Sequence, residues 1–503
     1  MAQINVTDLT FHYENSFDNI FEHVSFSVDT NWKLGFVGRN GKGKTTFLNL
    51  LLGKEEYSGS ISTSTVFDYF PYKTEEGQLD ECAADLIEGW KADCELWRVI
   101  CELDKLDTDA EILYRPFGTL SHGERTKVML AVLFSGENNF LLIDEPTNHL
   151  DRDSRETVKQ YLMQKKGFIL VSHDRDLLDA CVDHVLVLNR ATIEVQTGNF
   201  SSWWENKVKK DHFSEMENEK HRKEIVKLEK AADRISRWAD KSESTKIGFD
   251  PRKEPDRCAS TRAYIGAKTK KMQSRVMQIE NRIEREIEEK EGLLQDIEKP
   301  VDLKLMPMKH YKETLVSARD FSIRYMDAEN ALFENFSFEI KQGERVFLNG
   351  NNGCGKSSLI KAILGKTENM DLCGNFTVAP NLVISYINQD TSFLHGNIKD
   401  FCRERSLDES LFCAILRQLD MERVQFVKNM EDYSEGQKKK VLIAASLMTS
   451  AHLYIWDEPL NYIDVFSRMQ IEKLLETYAP TMLIVEHDVR FREKIATKVV
   501  EFG

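Results

Sequence analysis

Apolar and polar positions change their period along the chain. They alternate from Ile4 to Tyr13 and from His23 to Val28, which predicts half-buried antiparallel strands. Short apolar runs at Lys33–Val37, Phe140–Ile143 and Ile169–Val171 predict strands covered on both faces. Thr46–Leu52 and Arg125–Phe134 read as helices. Residues 201–300 behave differently. Ile225, Leu228, Ala232, Ile235 and Ala239 repeat in alternating steps of three and four, and so do Met272, Val276, Ile279 and Ile283, with Ile287 and Leu294 continuing the seam. That 3.5-residue period predicts two helices packed on each other, helix out and helix back. Between the limbs, Lys246–Pro255 holds two prolines and Gly248, which do not continue a helix. A first limb of some 45 residues would extend roughly 65–70 Å.

Charge sharpens this picture. The net formal charge of −15 argues against a chain that coats nucleic acid. Its distribution is uneven: residues 201–300 hold 24 Lys+Arg and 21 Asp+Glu, and 241–275 hold 10 basic against 4 acidic residues. The hairpin tip is therefore basic while the flanking regions are acidic, as suits a local phosphate-rich target. No apolar run approaches a membrane span, and the N-terminus reads as a strand and not as a signal peptide. Nine scattered cysteines without a CxxC pair suit a reducing cytoplasm and predict neither a disulfide framework nor a zinc site.

The candidate chemistry lies on the predicted strand ends. Gly38-Arg-Asn40-Gly41-Lys-Gly43-Lys44-Thr45 is GxxxxGK[ST] between a strand and a helix. Its glycines let backbone N–H groups wrap a phosphate chain, Lys44 adds charge, and the Thr45 hydroxyl, with Thr46 beside it, suits Mg²⁺ and phosphate. Ser121 reads as the N-cap of a helix that follows Leu120-Ser-His-Gly123-Glu124. Asp144 and Glu145 end an apolar strand, where one carboxylate suits Mg²⁺ and the next can accept a proton from an attacking water. His173 ends a further strand.

In this order the residues resemble an ATP-binding-cassette (ABC) nucleotide-binding domain. The resemblance implies Walker A, the LSGGQ-type signature, Walker B with its glutamate, a D-loop at Asn148–Asp151 and a switch histidine, His173; Tyr13 is the match for the aromatic that stacks on adenine. The whole set recurs. Tyr325, Gly350-Asn-Asn352-Gly353-Cys-Gly355-Lys356-Ser357-Ser358, Gln389, Tyr433-Ser434-Glu-Gly436-Gln437, Asp457-Glu458 and His487 repeat it at offsets of 312 to 314 residues. A duplicated domain follows. The fold class expected is α/β, two tandem cassettes at 1–200 and 313–503, joined by a long antiparallel helical hairpin at 201–312 with a tip at about 242–272. In the family such cassettes pair head to tail, and the resemblance implies that they do so within a monomer. One ATP with Mg²⁺ would lie between Lys44, Asp144, Glu145, His173 and the opposite Ser434 and Gly436. The other would lie between Lys356, Ser357, Asp457, Glu458, His487 and the opposite Ser121 and Gly123. Departures are visible: Tyr72 stands where the second half has Gln389, His122 and Glu435 replace a signature glycine, and Leu460 and Tyr462 match Thr147 and His149. Two sites of unequal rate are expected.

Order separates the classes of cassette protein. A coiled-coil DNA-maintenance ATPase interrupts one cassette with its coil, whereas here both cassettes are complete and the coil lies between them, so no stable DNA binding is expected. A transporter ATPase paired with membrane subunits on another chain needs no basic hairpin. The layout is similar to the ABC-F family from Ile4 to Gly503, and the return limb Thr261–Met272 resembles Lsa-like and Vga-like ribosome-protection proteins. The resemblance implies binding at the tRNA exit site of the 70S ribosome, with the tip directed towards 23S rRNA and the P-site tRNA. Displacement of lincosamides, pleuromutilins and streptogramin A would follow, with release on ATP hydrolysis. Arg252, Lys253, Arg257, Arg262, Lys268, Lys270 and Lys271 would meet RNA phosphates, and Phe249 and Tyr264 would stack on bases. A housekeeping ABC-F translation factor shares everything but the tip and the drug phenotype.

Overall fold

The computed structural model describes the chain apart from residues 1, 14–18, 93, 137–138, 149, 190–191, 245–269, 272–273, 280, 288–289, 291–303, 327–329, 352 and 503. It divides into two units, Met1–Trp203 with Pro300–Gly503, and Trp204–Lys299. The chain is thus α/β, two tandem cassettes joined by a helical linker.

The first cassette contributes strands β1 (Gln3–Phe11), β2 (Phe21–Asp29), β3 (Lys33–Val37), β4 (Ser58–Ser62), β5 (Val66–Phe70), β6 (Asn139–Asp144), β7 (Phe168–Val171), β8 (His184–Leu188) and β9 (Ile193–Thr197). The second contributes β10 (Thr314–Tyr325), β11 (Phe333–Lys341), β12 (Arg345–Asn349), β13 (Met370–Val378), β14 (Ile384–Ile387), β15 (Leu453–Asp457), β16 (Met482–Val485) and β17 (Lys498–Glu501). Each half has a small antiparallel sheet, β2-β1-β4 or β11-β10-β13, and a main sheet, β5-β6-β7-β3-β8-β9 or β14-β15-β16-β12-β17. The main strands β14 to β17 are all parallel, and β9 alone runs antiparallel in the first sheet. Strands covered on both faces need apolar runs, and β15 (Leu-Tyr-Ile-Trp-Asp) is buried throughout. The shared strand order puts the ends of β3, β6 and β7, and of β12, β15 and β16, at one edge of each sheet, where ligands bind in parallel α/β sheets. Among the described residues β17 has no counterpart of β9 beyond it.

The two cassettes pack on each other within their unit. Arg175 makes a bidentate pair with Glu472, both ends buried, the Nη1–Oε2 bond at 3.2 Å. Arg490 pairs with Asp179 and donates to Ser201 Oγ at 3.1 Å. Removing one partner of such a buried pair leaves a charge without compensation and costs about 3–5 kcal/mol.

The helix Phe200–Ser244 runs 45 residues, and from Trp204 onward it belongs to the second unit. Ile225, Val276 and Ile283 are buried, and Lys290 Nζ binds Glu224 Oε2 at 2.5 Å, tying the outgoing limb to the returning one. Ile279, expected in the seam, is 44% exposed. Seven residues advance a helix by nearly two whole turns, so Val276 and Ile283 stay in phase, whereas a step of three leaves Ile279 about 60° round the helix, outside the narrow strip that one partner covers. The seam also runs further back than the apolar pattern shows: Ser214 and Asn218 are buried, in phase with Ile225. Met272, Leu294 and the tip, with Phe249, Arg252, Lys253, Arg257, Arg262, Tyr264 and Lys268, lie outside the described residues.

Candidate nucleotide sites

Both Walker A loops are built by glycine. Gly43 and Gly355 cap the helices Lys44–Leu51 and Lys356–Ile363 at φ of 105° and 107°. A β-carbon at Gly43 would approach Ile20 to 2.5 Å, and one at Gly355 would approach Phe333 to 2.8 Å, so neither position accepts a side chain. Helix N–H groups therefore point into each loop. Lys44 Nζ donates to Gly38 O at 2.7 Å and Asn40 Oδ1 at 3.2 Å, and Lys356 Nζ donates to Gly350 O at 2.6 Å. Burial holds the Lys44 ammonium below its usual range. Tyr13 shares a hydrogen bond with Thr46 at 2.9 Å, and Tyr325 shares one with Ser358 at 2.8 Å, so both candidate adenine partners stand over equivalent turns.

The carboxylates gather at the strand ends. Thr45 Oγ1 donates to Asp144 Oδ2 at 3.1 Å, and Ser357 Oγ to Asp457 Oδ2 at 3.3 Å. Hydroxyl and carboxylate oxygens side by side are the donor set a hard divalent cation takes, so the residues fit Mg²⁺. Glu145 and Glu458 both adopt left-handed backbone, φ 51° and 46°, an uncommon conformation for a non-glycine residue that aims each carboxylate out of its strand. His173 Nε2 lies 3.3 Å from Glu145, and His487 Nε2 lies 3.9 Å from Glu458.

The surroundings differ sharply. Glu458 Oε2 accepts from Gln389 at 2.9 Å and from Asn461 at 2.8 Å. Glu145 Oε1 is buried with no hydrogen-bond partner among the described residues, and Oε2 accepts only a long bond, 3.4 Å, from the His173 N–H. Burial, then Asp144, pushes the Glu145 carboxyl up to about 8. Burial and Glu458 push Asp457 up to about 6. Burial, then Arg155 and Lys356, holds His487 down at about 3, and burial, then Lys44, holds His173 well below its usual value; both imidazoles are neutral at pH 7.

Tyr72, which matches Gln389, does not face the strand ends. It stacks on Trp90 at 5.4 Å and donates to both oxygens of Asp68 at 3.1 Å, and Asp68 is paired with Lys91 at 2.7 Å. Tyr69 reaches the site instead, donating to Asp144 Oδ2 at 3.1 Å. Its counterpart Tyr386 donates to Asn388, and the first half has Pro71 at that place, which offers no side-chain acceptor.

A cavity of about 500 Å³ joins the cassettes at the second site. One wall holds Tyr325, Gly353, Gly355, Lys356, Ser357, Ser358, Gln389, Asp457, Glu458 and His487; the other takes His122, Leu150 and Arg155 from the first cassette. Ser121 and Gly123 do not line it. Ser121 forms a capping box with Glu124, and Ser434 forms one with Gln437, so these four side chains hold their own helix starts. At the first site Asn40 Nδ2 donates to Tyr462 O at 2.7 Å, and Arg39 and Lys42 pair with Asp420 and Glu422 at 3.1 and 2.9 Å. A β-carbon at Gly436 would come within 2.7 Å of the same Tyr462 O, which places Gly436 beside that contact. Gly38 and Gly41 lie in the first loop, and Asn352 lies outside the described residues. Sequence reading missed Tyr69, Asn461 and Arg155. The last stands in Asp151-Arg-Asp-Ser-Arg155, which recurs as Asp464-Val-Phe-Ser-Arg468, so superposing the two halves would have exposed it.

Paired Walker loops, acid-tipped strands and a cavity walled by both halves define a tandem nucleotide-binding ATPase. The ABC transporter family model matches residues 21–148 and 333–461, and the chain belongs to that family. It is 28% identical over 97% of its length to the ribosome protection protein VmlR of Bacillus subtilis (strain 168), 85% of which is covered. It is 26% identical over 93% of its length to the erythromycin resistance ATP-binding protein MsrA of Staphylococcus epidermidis, with 91% covered. The fold is similar to that in a crystal structure of an archaeal ribosome recycling factor, aABCE1, with ribosomal stalk protein aP1, at a TM-score of 0.61 and 17% identity, covering 98% of this chain and 87% of that one. The two relatives agree with the ABC-F, ribosome-protection-type resemblance of the sequence, and the solved structure with its fold. No described helix is long and apolar enough to cross a membrane.

Proposed function

We propose that this chain is a ribosome-protection ATPase of the ABC-F type. It would bind the 70S ribosome at the tRNA exit site and use its linker tip, against 23S rRNA and P-site tRNA, to dislodge lincosamides, pleuromutilins and streptogramin A. The observation that carries the reading is the second-site cavity walled by both cassettes in a chain that also carries a 45-residue linker helix. A triphosphate there is held between Lys356 and the opposite wall, so ATP favours the paired cassettes and its loss releases them. Mg²⁺, when bound, would supply positive charge against the phosphates. Thr45 and Asp144 would hold it at the first site, and Ser357 and Asp457, with Gln389 beside them, at the second. Glu458 accepts the proton of the attacking water, oriented by Gln389, Asn461 and neutral His487; Glu145 and His173 occupy the corresponding places at the first site, where the raised carboxyl makes Glu145 the slower base at pH 7. VmlR and MsrA, named for ribosome protection and erythromycin resistance, support the cellular role.

The test replaces residues 246–258 with a short Gly/Ser turn. ATP hydrolysis is retained and drug tolerance in a sensitive host is lost. Unchanged tolerance removes the tip from the mechanism.

A further inference from the structure

The cavity wall from the first cassette contains a cation that no motif of the fold accounts for. Arg155 sits on the first turn of the helix Arg152–Met163, whose N-cap Asp151 accepts from Ser154 N at 3.0 Å. Its Nε donates to Leu150 O at 3.0 Å, which fixes the base of the guanidinium. Arg155 lines the same cavity as Lys356, Gln389, Glu458 and His487, the one arginine of that wall among the described residues. It stands near enough to help hold the His487 imidazole neutral, after burial itself.

The duplicated cassette supplies an internal control. Arg468 occupies the same place in the second half, and all three of its nitrogens are spent: Nε on Ile463 O at 2.9 Å, Nη1 on Asp488 Oδ2 at 3.1 Å and Nη2 on Leu460 O at 2.9 Å. Arg155 has the equivalent Nε bond, but its Nη1 lies 3.8 Å from Asp174 Oδ2, beyond hydrogen-bond length, and Nη2 has no hydrogen-bond partner among the described residues. Asp174 instead spends Oδ1 on the N–H groups of Asp176 and Leu177. Thus one arginine is locked into its own cassette, and the other keeps two terminal nitrogens for a ligand. A guanidinium is always charged and presents its donors in a planar fork that matches two phosphate oxygens, which a lysine cannot imitate.

We propose that Arg155 is a γ-phosphate ligand that the first cassette supplies in trans to the second site, and that Arg468 gives the first site no such ligand. The proposal rests on the reading of the cavity as an ATP site. Contact with the terminal phosphate would let this site tell ATP from ADP through a residue of the opposite cassette, by an arginine that the first site lacks.

The experiment uses the full chain carrying Lys44→Ala, which removes binding at the first site, and Glu458→Gln, which stops turnover at the second. ATP and ADP affinities are measured with Mg²⁺ present, with and without Arg155→Ala. The expected result is a tenfold or larger loss of ATP affinity with ADP affinity unchanged, and only partial recovery in Arg155→Lys. Equal weakening of both nucleotides, or no change in either, overturns the proposal and leaves Arg155 as a helix-start packing residue. If the parent itself folds but binds neither nucleotide, the ATP reading of the cavity fails first. Should Arg155→Ala not fold, the ATP-to-ADP affinity ratio of Arg155→Lys and Arg155→Gln decides, because the ratio is insensitive to overall stability. In the mirror-image background, Lys356→Ala with Glu145→Gln, Arg468→Lys leaves that ratio at the first site unchanged.

Discussion

The two nucleotide sites have the same ancestry and different surroundings. At the second, Glu458 is held by Gln389 and Asn461, and a cavity remains between the cassettes. At the first, Tyr72 has left the strand end for Trp90 and Asp68, Tyr69 has moved onto Asp144, and the Asn40 side chain reaches the opposite D-loop at Tyr462. Glu145 there is buried without the two amide donors its counterpart enjoys. A duplicated motif thus preserves backbone geometry, even to the left-handed φ of both glutamates, while side chains from neighbouring elements set what each carboxylate can do. On the proposed function, the second site would be the faster in turnover and the first would chiefly hold the cassettes together.

The comparison breaks most visibly in turnover. Glu458→Gln is expected to lower steady-state ATP hydrolysis at pH 7 tenfold or more, and Glu145→Gln less than about twofold, on the scale of general-base loss. Equal losses in a phosphate-release assay would erase the division of labour. Next in size is the clasp between cassettes. Arg175→Met leaves Glu472 buried, with Lys494 at 3.5 Å as its one remaining cation among the described residues, and is expected to cost about 3–5 kcal/mol. Adding Glu472→Leu should recover most of it, as measured by urea unfolding.

The third effect depends on pH. The Glu145 carboxyl is raised to about 8 from an unfolded value near 4.5, so the folded chain binds the extra proton. Its contribution to stability is therefore full below pH 4.5 and lost as pH rises towards 8, by at most about 1.4 kcal/mol per unit. Glu145→Gln carries no such proton. Its melting temperature should gain on the wild type between pH 5.5 and 8 and hold level above; a constant gap contradicts the burial argument. The smallest effect is at Tyr69. Tyr69→Phe removes one hydrogen bond to Asp144, about 1 kcal/mol, and should shift the Mg²⁺ dependence of nucleotide binding at the first site several-fold without changing the second.

What could be read from the chain follows from the range of the interactions involved. The Walker loops, acid-tipped strands and their repetition depend on local spacing, and Gly43, Lys44, Asp144 and Glu145 stand together as spacing implied. Tyr72 was visible as a departure from Gln389, but its destination depends on Trp90 and Asp68, which belong to other elements. Arg155 acts across the interface between halves, where no periodicity within one segment points. Ser121 was read both as a cap and as a partner of the opposite loop, and the cavity wall takes its neighbour His122 instead. Along the hairpin the heptad step identified Val276 and Ile283, while Ile279 fell outside the strip and the buried Ser214 and Asn218 carried no apolar signal.

The most direct test of ribosome protection is to express the chain, and separately its Glu145→Gln/Glu458→Gln double variant, in a drug-sensitive Gram-positive host. Lincosamide and pleuromutilin susceptibility is measured, and ribosomes are pelleted from the same cells. The account predicts raised tolerance with the wild type and a double variant that sediments with ribosomes. Ribosome trapping without tolerance would point to a housekeeping factor, and absence of both forms from ribosomes would contradict the account outright.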